Sequence, residues 1–172
     1  MDESTMDKEI INLISNWKLL RYDEMPNFEL YSDQLISIAQ KQMEPFSIVD
    51  SYQNVTSSMV NNYVKAKIMK KPVKKRYDKD QLAILIVISI LKTVFSIGEI
   101  DEGIKHAINK NSYEEAYNNF CNLIEMSLKE LFLDEFTEKN EFKDPIALAC
   151  KSVASKLYVQ YTLMVMREVE NE

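Results

Sequence analysis

Residues 56–91 read TSSMVNNYVKAKIMKKPVKKRYDKDQLAILIVISIL, and the way this stretch divides decides the fold. Its opening hydroxyl residues suit a helix N-cap, and Met59, Val60, Tyr63 and Val64 recur on one face of the short helix that follows. A lysine-rich excursion around Pro72 interrupts it. Asp78 and Gln81 then stand at capping-box spacing, an acceptor for an orphan backbone N–H and a Gln that reaches back, so a helix begins at Lys79. The run LAILIVISIL is rich in β-branched residues and by itself fits a buried strand. The cap and the continuation through KTVFSI predict instead a helix apolar on nearly every side, which has to be central.

Helical signals extend in both directions. Ile10, Ile11, Leu13, Ile14, Trp17 and Leu20 predict an amphipathic helix over about residues 5–20. Leu35, Ile36, Ile38 and Ala39 predict another from Ser32 to Met43, stopped before Pro45 because a residue preceding proline is pushed out of the α region. EPFSIVDSYQN follows as a loop. Ser96 with Glu99 opens a helix through Ala107, and Ser112 with Glu115 opens a long one through about Phe136. Asp144 and Pro145 start a last helix that runs to the end of the chain. The expectation is an all-α protein of about seven helices, one small two-stranded β wing excepted.

Composition narrows the function classes. The chain has 172 residues with 46% hydrophobic and 28% charged, the range of a folded globular chain. Two glycines, Gly98 and Gly103, leave little material for phosphate-cradling loops, and GEIDEG carries acids and Ile104 where a nucleotide loop needs lysine. Cys121 and Cys150 lack metal-ligand spacing and read as buried thiols. His106 is the single histidine, a surface or capping residue by its position, and with it no Ser/His/Asp or Cys/His constellation assembles. No catalytic residue, metal or cofactor is expected. The acidic start MDESTMDKEI and the shortness of the apolar run predict a cytoplasmic protein without a membrane span.

Charge is the sharpest signal. From residue 65 to 79 there are eight Lys and Arg against Asp78 alone, so this window carries +7 and the remainder −13, giving the chain its net −6. Such asymmetry orients a polyanion onto one face while the body repels it. A short helix bearing Ser57, Ser58, Asn61, Asn62 and Lys65, then the basic excursion Lys67, Lys70, Lys71, Lys74, Lys75 and Arg76, then a buried helix is the order of a helix-turn-helix with a wing. An Asn amide matches the N6 and N7 edge of adenine, whereas lysine and arginine position the protein on phosphates. Tyr77, at the exit of the wing, either packs beneath it or reaches the backbone with its hydroxyl.

MVNNYVKAKIMKKPVKKRYDKDQLAILIVISILKTVFSIGEI resembles the winged helix-turn-helix of the MerR-like regulators. Tyr63, Ile68, Met69, Pro72, Tyr77, Gln81, Leu82 and SIGEI at 96–100 fall on that pattern in order. With YDEMPNFELYSDQ, MVNNYVK and PVKKRY, the chain also resembles the uncharacterised Firmicute family called domain of unknown function 1836, over about residues 20–140. The first resemblance implies a DNA-binding fold and a transcriptional regulator. Lys67 stands where MerR-like proteins usually have glycine, Lys75 replaces an arginine, and Asn61 replaces another. A left-handed lysine costs about 1 kcal/mol relative to glycine, so the helix is expected to run on through Lys67.

The expected organisation is an N-terminal helix with a winged helix-turn-helix in residues 1–110, and a helical region in 111–172 for dimerisation, sensing or core packing. Apolar stripes on the last two helices predict an antiparallel pair. The expected partners are double-stranded DNA, a second copy of the chain, and an unidentified small-molecule effector. The alternative is a winged-helix module whose basic loop docks an acidic protein instead of DNA.

Overall fold

The computed structural model describes residues 3–135 and 144–170. Among these described residues there are seven α-helices: α1 (Glu3–Asn16), α2 (Ser32–Lys41), α3 (Ser57–Lys65), α4 (Lys79–Leu91), α5 (Ile97–Lys110), α6 (Tyr113–Phe132) and α7 (Pro145–Glu170). A 3₁₀ turn, Glu44–Ile48, lies between α2 and α3 with Pro45 in its first turn.

Helix α4 is the axis of the molecule. Nine of its thirteen residues are buried, and it packs against α2, α5, α6 and α7. Contacts on all sides outweigh the modest helix propensity of its isoleucines and valine. The hydroxyl of buried Ser89 donates to the Leu85 carbonyl at 2.6 Å, so the axis carries no orphaned polar group there. It ends at Leu91 rather than continuing through KTVFSI. The Thr93 hydroxyl donates to the Ile90 carbonyl, and Ser96 already caps α5 by accepting from the Glu99 N–H, so the polar residues between form a turn.

Helix α1 also stops earlier than its apolar spacing suggests, and residues 17–21 leave the helix. Trp17 stays in the core, donating its indole N–H to the Gln42 carbonyl at 3.1 Å and meeting Phe46 edge-on. The strip beyond it runs along α6, whose side chains take its backbone groups. Leu19 N–H donates to Glu125, Tyr22 N–H to Asn118, and the Tyr117 hydroxyl donates to the Leu20 carbonyl. Side chains of one helix thus do for this strip what a neighbouring strand does in a sheet.

Helices α6 and α7 form the largest helix pair, but they run in the same direction. Ala116 and Phe120 share a cleft with Pro145 and Ala149, Glu130 pairs with Lys151, and Phe132 meets Tyr158 and Tyr161. Each advance along α6 is matched by an advance along α7, and the antiparallel expectation is corrected. The twelve intervening residues span up to about 40 Å when extended, against roughly 30 Å for the length of α6, so a parallel return is within reach. The predicted end of α6 at Phe136 lies outside the described residues. All these elements contribute to one continuous core, and no helix among the described residues is long and apolar enough to cross a membrane.

Candidate nucleic-acid interface

The side chain of Thr56 caps α3 by accepting from the Met59 N–H. Val60 and Tyr63 anchor the helix in the core. Ser57, Ser58, Asn61, Asn62 and Lys65 occupy the opposite face, all exposed, as the 3.6-residue period requires.

The helix does not run through Lys67. It ends at Lys65, and Lys67 takes a left-handed φ of 62°. Two hydrogen bonds hold it there: Lys67 N–H donates to the Val64 carbonyl and Ile68 N–H to the Tyr63 carbonyl, both at 3.1 Å. This is the Schellman closure, with buried Ile68 against buried Tyr63 as its apolar clasp. Burial of Ile68 and Met69 (5% and 1% exposed) offsets the strain that argued for a longer helix, since a continued helix would redirect both side chains.

The basic excursion is tied at both ends by Gln81. Its carboxamide donates to the Lys70 carbonyl at 2.8 Å and accepts from the Asp78 N–H at 2.7 Å. The expected two-stranded wing is not formed: the described residues contain no strand, only isolated bridges. Val73 and Arg76 exchange N–H to carbonyl bonds at 3.1 and 2.9 Å. Between them Lys74 and Lys75 have φ of 49° and 64°, the pattern of a two-residue type I′ turn. Pairing then passes to Leu30, which bridges Tyr77. The next bonded pair of the ladder would be Lys71 with Asp78, but the Asp78 N–H already donates to Gln81, so the ladder stops at one pair.

Lysines 65, 67, 71, 74 and 75 are exposed, and none has an acidic partner among the described residues. Others are partly engaged. Lys70 faces Asp80 at 3.7 Å and lies over the Tyr113 ring. Arg76 stacks on Tyr31 with its guanidinium carbon 4.8 Å from the ring centre and donates to the Tyr31 hydroxyl at 3.0 Å. Tyr77 is 4% exposed and belongs to the core, so of its two expected roles packing is the observed one and it leaves the candidate face. Tyr31, absent from the sequence-based set, joins that face as the platform that orients Arg76. Forty-five residues separate the pair, and no local pattern announces it.

The arrangement is that of an all-helical protein presenting a polar helix face beside a rigidly tethered lysine turn. The chain belongs to the family described as Domain of unknown function (DUF1836), whose model matches residues 20–120. That span contains α2 to α5 and the whole basic segment, and omits α7. No protein of curated function matches the chain, and no solved structure does.

Proposed function

We propose that this protein binds duplex DNA as a transcriptional regulator of MerR-like, winged-helix type. Helix α3 presents Asn61 and Asn62 to base edges in the major groove, and the turn at 73–76 supplies phosphate contacts. The observation that carries this reading is the exposed polar face of α3 continuing in sequence into five lysines without acidic partners. The left-handed Lys67 adds support, because it occupies the position where the MerR-like pattern has glycine.

Two half-sites require two copies. Leu148, Val159, Leu163 and Met166 are exposed and fall on one face of α7 by helical spacing, which supports a homodimer through that helix. Sedimentation of wild type against Val159→Glu with Leu163→Glu tests it, a loss of the dimer being the expected result.

DNA binding is tested by affinity for genomic fragments as a function of salt, for wild type and for Lys74→Ala, Lys75→Ala, Arg76→Ala combined. The triple variant is expected to lower the salt slope by about one for each lost phosphate contact. An unchanged slope would remove the turn from the interface. The brevity of the turn favours a second reading, in which the lysines dock an acidic protein. That reading expects no DNA binding at about 100 mM salt and a complex that survives pull-down.

A further inference from the structure

At the opposite end of α4 from the lysine turn, a second pair of cations lines a cavity of about 260 Å³. Lys92 at the end of α4 and Lys156 on α7 both border it, and no Asp or Glu does. Lys156 donates to the carbonyl of Thr93, the residue next to Lys92, which brings its ammonium to the end of α4. Neither has an acidic partner among the described residues.

The Thr93 carbonyl, just past the end of α4, accounts for Lys156, because cations are favoured near a helix C-terminus. It does not account for Lys92. That ammonium carries three protons, and its contacts are the Gln53 carbonyl at 3.5 Å and the Met59 sulfur at 3.6 Å. The carbonyl is distant and the sulfur a poor acceptor, which leaves a half-buried charge weakly partnered, and burial pushes its pKa down. Two ammonium groups with unused capacity therefore border one cavity. The rest of the wall includes Phe46, Val153 and Leu157, all buried.

We propose that this cavity is a binding site for a small organic anion, its carboxylate or phosphate head held by Lys92 and Lys156 and its apolar tail against Phe46 and Leu157. A cavity of about 150 Å³ holds benzene, so this volume takes a ligand of about ten non-hydrogen atoms. An anion restores a partner to the desolvated ammonium. The Gln160 amide donates to the Ser51 hydroxyl at 2.8 Å, so α7 and the segment leading to α3 meet at this site. The site stands whether or not the lysine turn meets DNA.

Titration calorimetry on the full chain tests it with four probes that share one tail: hexanoate, hexyl phosphate, hexanol and hexylamine. Saturable binding of at least one anion is expected, with hexanol weaker and hexylamine weakest. Lys92→Met and Lys156→Met, which keep the aliphatic stem, are each expected to weaken the anion at least tenfold. Binding of hexanoate alone identifies a carboxylate site, and binding of hexyl phosphate alone a phosphate site. Should neither anion saturate, should hexanol match them, or should both Met variants bind as wild type does, the proposal falls. Lys156 is exposed, so its variant carries the test if Lys92→Met does not fold.

Discussion

Leu30 and Tyr77 exchange both of their backbone hydrogen bonds, each 2.8 Å long. This bridge fastens the exit of the lysine turn to the residue before Tyr31, and so brings the Tyr31 ring beneath Arg76. The turn is thereby held at a height set by the entry to α2, although its own ladder is a single pair.

That anchoring leaves the strain of the turn in Lys74 and Lys75. Replacing them by Asn and Gly, the residues a type I′ turn favours, is expected to stabilise the fold by about 1 kcal/mol per position. Urea unfolding should show a higher midpoint with an unchanged slope. The same variant should bind DNA more weakly, with the salt slope reduced by about two. Opposite signs for stability and affinity distinguish a functional lysine pair from a merely tolerated one.

Arg21 and Glu125 form a bidentate pair, at 2.6 and 2.8 Å, and Glu125 also accepts from the Leu19 N–H at 2.8 Å. Glu125→Ala strips acceptors from both donors in a partly buried place, and a loss of about 2 kcal/mol is expected. Glu130→Ala, which breaks the looser 3.3 Å contact to Lys151, should cost less than about 1 kcal/mol. Chemical denaturation of the two variants compares them directly.

Alkaline pH should unfold the protein through its buried acids. Burial pushes the Cys121 thiol up to about 11 from an ordinary 9.0, and burial likewise raises Tyr117. Both groups are neutral in the folded state, so their contribution is complete below the unfolded pKa and is lost as pH rises through the folded one. Stability is expected to hold to about pH 8.5 and to fall by about 2 kcal/mol from the thiol alone near pH 10.5. Melting temperatures across that range check it, with Cys121→Ala reducing the slope. Both cysteines are buried and should resist thiol reagents at pH 8 until urea is added.

Gly103 borders an apolar cleft of about 270 Å³ between α4, α5, α6 and the start of α7. A Cβ built there meets nothing within 4 Å, and the residue lies inside a helix. Gly103→Leu is expected to stabilise the fold by about 1 kcal/mol, through helix propensity and added apolar contact. Gly98→Leu, also in open space but away from the cleft, separates the two effects in a thermal melt.

Much of this architecture was legible wherever the deciding groups lie within a few residues of one another. The boxes at Asp78 and Gln81, Ser96 and Glu99, and Ser112 and Glu115 start their helices as expected. Asp144 accepts from the Ile146 N–H behind Pro145, and the uniformly apolar run is the central helix. Local rules misjudged Lys67, because its left-handed backbone is held by the burial of Ile68 and Met69 and not by its own preference.

Caps, periods and charge runs are properties of neighbouring residues, and the amino-acid sequence by itself determined the helices, the apolar axis and the lysine-rich window. Tertiary structure alone decided that α6 and α7 run parallel, that Tyr77 is core while Tyr31 carries Arg76, and that Lys156 reaches the Thr93 carbonyl beside Lys92. Those outcomes depend on contacts between residues 21 positions apart, as in Glu130 and Lys151, to 63 apart, as in Thr93 and Lys156, whose pairing is chosen by how the whole apolar surface is buried at once.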